Sequence, residues 1–306
     1  MWGLCEPPCV VDTRPSSDGG AVTGRTNALG QRKRNDQQRA PVAGSYDRYY
    51  ASGVYDARYP RPNPPTYRYV LRLAANAARI LDFGAGSGRY ALPVLQATRA
   101  FVCAYDISAD ALTAAENRAS SAGIASDRLL TTTSRDAARS AGPYNLVMSL
   151  FGVLSHIEKA EDRIDTLRSM RSMLTAHGRL LLTVPNAVRR FPLHASPARQ
   201  ASHSSSEPRL RTWTQRHYPS PRLITYHHTL DNAERSFPYY LYSRRQLARE
   251  LAAAGLTLEL LETDSILPER NLVRSPQLTP ADHALRRLLP TWAGYGLRAT
   301  CRAGPS

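Results

Sequence analysis

At 306 residues with 42% apolar content, the chain can bury one large core, and no apolar run approaches the roughly 20 residues of a membrane span. The opening Met1-Trp-Gly-Leu-Cys5 lacks the charged start and apolar stretch of an export signal, so a cytoplasmic location and no membrane partner are expected. The net charge of +15 is weak evidence for nucleic acid: only Lys33 and Lys159 among the 40 basic residues are lysines, an arginine skew that codon composition alone produces.

In chain order, residues 1–44 carry Gly, Ser, Pro, Arg and Gln without apolar periodicity and are expected to form a disordered tail. Residues 45–306 then form one domain. Residues 45–69 hold seven tyrosines, at 46, 49, 50, 55, 59, 67 and 69, and an amphipathic helix begins near Thr66. Ile80 to Phe83 predict a buried strand, and Gly84, Gly86 and Gly88 let the backbone turn sharply and approach a ligand before a helix opens. Phe101 to Asp106 predict a second strand ending in an acid able to accept hydrogen bonds from both hydroxyls of a ribose. A dinucleotide fingerprint needs glycine where Arg89 stands, and no G-K-[ST] of a phosphate loop follows.

Ser108 caps a helix running to Gly123, and Leu129 to Thr133 predict the third strand. Tyr144 to Ile157 predict a fourth strand and its loop. Leu167 to Leu174 predict a helix with His177-Gly178 as its stop signal, and Arg179 to Asn186 a fifth strand. Ala187 to Pro238 follow as an insertion. Residues 186–245 hold ten arginines against Glu207, Asp231 and Glu234, a local balance of 10 − 3 = +7. Tyr239 to Ser243 then lead into a helix from about Ser243 to Ala254, stopped by Gly255; Leu256 to Thr263 and Gly294 to Cys301 predict the last strands, the final one antiparallel. Alternating strands and helices imply a Rossmann-like, doubly wound α/β fold with a mostly parallel seven-stranded sheet. The four cysteines, at 5, 9, 103 and 301, form no C-x-x-C pair, so neither a metal site nor a disulfide framework is expected.

The run Asp82-x-Gly84-x-Gly86-x-Gly88 followed by Asp106 resembles motif I of the class I S-adenosylmethionine-dependent methyltransferases, and the resemblance covers about residues 46–265. It implies S-adenosyl-L-methionine as cofactor, with Asp82 toward its methionine end, Asp106 and Ile107 at the ribose, and Ser134-Arg-Asp136 where the family places a polar residue against the adenine amine. Ser149 and Leu150, just past the fourth strand, complete the implied cofactor set. Asn145 stands where the family usually has Asp, and Pro185-Asn186 is a pair common in the superfamily. Tyr55 and Tyr59 are the implied lid residues, with packing of the following helix as the competing role.

The resemblance implies methyl transfer to an oxygen or nitrogen of a small or glycan-like acceptor. No [DNS]-P-P-[YFW] and no Pro-Cys follow the fourth strand, which disfavours methylation of DNA base amines and of cytosine carbon 5. Phe151 and Leu150 would give the acceptor pocket an apolar wall. Arg189, Arg190, Tyr240 and Tyr242 are the candidates for gripping the acceptor, and His156, at the edge of the fourth strand, is the candidate general base. Two alternatives stay open: a tRNA substrate, since Tyr-Leu-Tyr-Ser before a helix is similar to methyltransferases of the tRNA wobble uridine, and a noncatalytic cofactor- or RNA-binding protein of the same fold.

Overall fold

The computed structural model describes residues 44–189, 222–230 and 233–304. The expected tail therefore lies outside the described residues, apart from Gly44, the first residue of helix α1 (residues 44–51). A short α2 (Val54–Arg58) and α3 (Pro64–Ala74) lead to β1 (Arg79–Phe83), α4 (Ala91–Ala97), β2 (Phe101–Tyr105), α5 (Ala109–Ser121), β3 (Leu129–Thr132), α6 (Arg135–Ser140) and β4 (Tyr144–Ser149). Then come α7 (Ala160–Ser172), β5 (Leu174–Pro185), β6 (Arg222–Leu230), β7 (Ala233–Leu241), α8 (Arg244–Ala253), β8 (Leu256–Thr263), α9 (Glu269–Arg274), α10 (Thr279–Leu288) and β9 (Gly296–Ala303).

Seven strands form one sheet in the order β3-β2-β1-β4-β5-β9-β8. The β1, β2, β3, β4 and β5 pairings are parallel, whereas β9 runs antiparallel to both β5 and β8. The Rossmann-like fold expected from the alternation of elements is the observed one. Helices cover both faces because the central strands are apolar on both. Leu81, Val147, Leu180 and Leu182 pack toward Leu167 and Met170 of α7 and Leu247 and Leu251 of α8. One residue along each strand, Ile80, Val102, Leu146 and Leu181 face the other way onto Val70 of α3 and Val94 and Leu95 of α4. Chain order reverses between β1 and β4, which opens the crevice at the carboxyl ends of these two strands.

One expectation changes. His177-Gly178 does not stop a helix: α7 ends at Ser172 and both residues lie in β5. The β4–β5 register jumps from Tyr144↔Leu174 to Leu146↔Arg179, so the pair sits in an irregularity of the strand. A Cβ at Gly178 would stand 2.7 Å from the Tyr144 carbonyl oxygen, and this close approach explains the glycine. The insertion contributes regular structure. Its described residues include an antiparallel hairpin of β6 and β7, paired from Arg222↔Leu241 to Leu230↔Ala233, and β7 runs past Pro238. Ala187 N donates to the Tyr242 carbonyl and Tyr242 N to the Pro185 carbonyl, at 2.9 and 3.0 Å, closing the insertion at its root.

A buried ion pair holds that root to the helical layer. Arg163 Nη2 lies 2.7 Å from Glu250 Oε1, with both side chains 2% exposed. Nη1 donates to the Ile157 and Glu158 carbonyls, Tyr242 Oη donates to Glu250 Oε2 at 2.8 Å, and the guanidinium lies 3.8 Å from the centre of the Tyr240 ring. Removing one member strands a desolvated charge, at a cost of about 3–5 kcal/mol. Arg163→Met should lower the melting temperature by about 6–15 °C, and the Arg163→Met/Glu250→Met double variant should recover part of the loss. Thermal melts of both variants check this; a double variant less stable than the single would contradict it.

Candidate active site

The crevice is built around the loop after β1. Gly84, Gly86 and Gly88 all adopt left-handed φ, at 84°, 53° and 81°. The loop is pinned to the end of β2, where Gly84 N and Ala85 N donate to the Tyr105 carbonyl at 2.7 and 3.0 Å. Asp106 then uses both carboxylate oxygens, accepting from Gly86 N at 2.7 Å on Oδ2 and from Ser108 N at 3.0 Å on Oδ1. Ser108 Oγ in turn accepts from Ala111 N as the cap of α5 and donates to Asp47 of α1 at 2.6 Å.

Asp82, on β1, is 3% exposed. Burial pushes its carboxyl up to about 7, the nearby Asp106 charge adds to the shift, and the N–H of Ala91 opposes it. Burial raises Asp106 as well, against the hydrogen bonds from Ser108, Gly86 and Ile107. Among the described residues neither carboxylate forms a salt bridge.

An aromatic roof closes over the loop. The Tyr50 hydroxyl rests where a Gly86 side chain would be, so any Cβ there collides with it. The expected lid residues Tyr55 and Tyr59 are in this roof: Tyr55 is buried with its ring 4.9 Å from Tyr50 and 6.0 Å from Phe151, and Tyr59 lies 4.5 Å from Phe151. Ser87 Oγ donates to Asp56 at 2.8 Å, and Asp56 also pairs with Arg118, tying α2 to the loop and to α5. Phe151 has φ of 63°, rare for a bulky residue. It holds this conformation because its N–H donates to Thr183 Oγ1 at 2.7 Å while Gly152 N donates to the Thr183 carbonyl at 3.0 Å.

His156 ends the short turn Val153–His156 after β4. Its ring lies 5.6 Å from Tyr46 of α1 and 4.9 Å from Tyr239 of β7. Nδ1 faces the Pro238 carbonyl at 3.1 Å, so it carries the proton and Nε2 the lone pair. Burial holds the imidazole at about 4, below its ordinary value.

The other expected site residues divide. Ser149 is buried and its hydroxyl has no hydrogen-bond partner, Leu150 belongs to the core against α3 and α4, and Ile107 packs partly buried against the opposite core. Asp136 does not turn inward: its carboxylate is 78% exposed on the first turn of α6 and pairs with Arg139. Tyr240 packs against the Arg163 guanidinium, and the Tyr242 hydroxyl donates to Glu250. Arg189 Nη2 donates to the Ile266 carbonyl at 3.2 Å. Arg190 lies outside the described residues. Sequence reasoning missed Tyr46, Tyr50 and Asp47 as roof contacts, although the tyrosine spacing was the available signal; it treated Arg89 only as an absent glycine. Among the described residues no three His, Cys, Asp or Glu side chains group as a metal site, and no helix is long and apolar enough to cross a membrane.

The family model described as "Methyltransferase domain" matches residues 55–261, well over half of the chain. No curated protein sequence matches. Among solved structures, the CcbJ methyltransferase from Streptomyces caelestis is similar with a TM-score of 0.54 and 18% identity over 80% of this chain and 91% of that one. An S-adenosylmethionine-dependent methyltransferase from Clostridium acetobutylicum gives 0.53 and 10% over 87% and 98%. The glycopeptide N-methyltransferase MtfA complexed with S-adenosyl-L-methionine gives 0.51 and 17% over 80% and 88%.

Asp82 and His156 impose opposite pH slopes on stability. The folded protein keeps the Asp82 proton up to about pH 7, whereas the unfolded chain releases it near 3.8, so the stability this contributes is complete below pH 4 and lost as pH rises through 7. Folded His156 refuses its proton until about pH 4 while the unfolded imidazole takes it near 6.5, so its contribution is lost as pH falls through that window. Asp82→Asn removes only the first slope. Its melting temperature should therefore gain on the wild type as pH is raised from 5 to 8, and a difference that stays constant across paired melts would refute the assignment.

Proposed function

Because this chain belongs to the methyltransferase-domain family and is an S-adenosylmethionine-dependent methyltransferase, we propose that it methylates a nitrogen or oxygen of a small organic molecule. The observation that carries this is the aromatic cluster at the crevice: Tyr46, Tyr55, Tyr59, Phe151, His156 and Tyr239 come from four separate parts of the chain and meet beside the glycine loop. Such an aromatic surface suits a compact acceptor better than the backbone of a polynucleotide. The likeness in fold to MtfA, a glycopeptide N-methyltransferase, accords with a nitrogen acceptor.

The residues fit the cofactor. It carries a sulfonium and an ammonium, and the crevice offers two buried, unpaired carboxylates. Asp82 would hold the ammonium and Asp106, whose oxygens each retain a lone pair, the ribose hydroxyls; the left-handed glycines would admit the cofactor close to the backbone. When bound, it supplies a methyl group already activated by the positive sulfur. What remains for the protein is alignment in a dry site. Tyr50 and Tyr55 exclude water. His156, fixed by the Pro238 carbonyl, points a neutral imidazole Nε2 that accepts a hydrogen bond from the acceptor's N–H or O–H. An imidazole held near 4 orients a nucleophile well but takes its proton poorly, which favours an amine that arrives neutral over a hydroxyl that must be ionised. The hairpin of the 187–238 insertion serves the acceptor, since Pro238 and Tyr239 at its end both touch His156. Residues 45–306 are the catalytic unit, with 1–44 dispensable to it.

Asp106→Ala should weaken S-adenosylmethionine binding at least about tenfold, because two charge-assisted hydrogen bonds are worth about 1.5–3 kcal/mol each. Calorimetry showing unchanged affinity would reject the site. Acceptor use should also depend only weakly on salt, as measured by methyl transfer from labelled cofactor between about 50 and 200 mM salt. A fall of about 10³-fold would instead mark a polynucleotide substrate.

A further inference from the structure

Arg89 directly follows the glycine loop, and its side chain is 3% exposed. Nε donates to the Arg61 carbonyl and Nη2 to Glu269 Oε1, both at 2.7 Å. Nη1 is buried and has no hydrogen-bond partner. A guanidinium that served only to join the loop to α9 would be satisfied by Nε and Nη2; instead a second N–H edge is desolvated and left open, an arrangement that is costly unless something fills it. The guanidinium lies among the roof aromatics, its carbon 4.8 Å from the centre of the Phe151 ring and 5.2 Å from that of Tyr59, and the Tyr55 phenol hydrogen-bonds the same side chain.

Charge supports the same direction. Arg58 lies 5.6 Å from the centre of the same Tyr59 ring, and its Nε is likewise buried without a hydrogen-bond partner. Two arginines thus flank one tyrosine, and Glu269 neutralises only one of them. A carboxylate would bring a second negative charge on planar oxygens, the geometry that a guanidinium edge matches.

We propose that Arg89, assisted by Arg58, binds a carboxylate of the acceptor, so that the substrate is a small organic acid held with its anionic end at Arg89 and its nucleophile at His156. This rests on the methyltransferase reading above. It also assigns the anion contact to α2 and the residue after the glycine loop in place of the expected Arg189 and Arg190.

The test uses benzoate as probe, with benzyl alcohol as its uncharged counterpart, titrated into the full chain saturated with S-adenosylhomocysteine and followed by ligand-observed NMR. Benzoate should bind at least tenfold more tightly than benzyl alcohol. Arg89→Met should abolish that preference while leaving S-adenosylhomocysteine affinity within twofold. Glu269→Gln removes the competing carboxylate and keeps the guanidinium, so benzoate should tighten severalfold; this variant and Arg58→Met decide the matter if Arg89→Met fails to melt cooperatively. Equal binding of the two probes, no response to Glu269→Gln, or a parallel loss of S-adenosylhomocysteine in Arg89→Met would each overturn the proposal, the last by assigning the guanidinium to the methyl donor. A wild type that binds no S-adenosylhomocysteine would instead defeat the methyltransferase reading, and the benzoate preference measured without it would still report on Arg89.

Discussion

The Asp106 carboxylate is the constraint on which the crevice depends. One oxygen holds Gly86 in the middle of the loop after β1 and the other holds Ser108 at the head of α5, so a single side chain fixes the turn, the end of β2 and the start of the next helix relative to one another. Ser108 passes this order on to Asp47 and hence to the roof helix α1. The same group is buried beside Asp82, and each carboxylate raises the energetic cost of ionising the other. Ionising both acids at once is costly, and Asp82 accordingly keeps its proton up to about pH 7.

Around that centre the structure assembles a chamber from parts with little in common locally. The roof tyrosines come from α1 and α2, Phe151 from a left-handed residue after β4, and Tyr239 from a hairpin inserted after β5. Thr183 of β5 holds Phe151 in its unusual conformation with its side chain and braces Gly152 with its carbonyl. Strain at a bulky residue facing a ligand site is tolerated because two hydrogen bonds from the neighbouring strand over-determine it. His156 is positioned in the same manner, its tautomer set by a carbonyl of the hairpin rather than by a carboxylate. Burial keeps its basicity low, and the Pro238 carbonyl opposes that shift only in part.

The Arg163–Glu250 pair lies outside the chemistry and supports it. It joins α7 to α8 and takes up both Tyr240 and Tyr242, the residues that carry the hairpin back into the core. Tyrosines beside a site in sequence are natural candidates for contacting substrate. Here the buried charge claims their rings and hydroxyls first, because an unpaired guanidinium in the core costs more than a tyrosine hydroxyl left to solvent.

Much of the fold was legible in the chain alone, and so was the heart of the site. Asp82, the three glycines and Asp106 are set by local rules, since a left-handed turn demands glycine and a strand end places its last side chain at the crevice. The caps Ser108 and Ser243 and the strand Leu256–Thr263 follow from equally local chemistry. Glycine at 178 misled because a helix stop and a close backbone approach demand the same residue. The tertiary structure alone decided which side chains meet across long separations: Arg89 with Glu269, 180 residues apart, Arg163 with Glu250, 87 apart, and His156 with Pro238, 82 apart. Asp136 and Tyr240 carry the same chemistry whether they face a ligand or a neighbouring arginine. Sequence spacing specifies the periodicity of one element and the turn that ends it, whereas the partner of a buried charge is chosen by whichever distant element the completed core brings within reach.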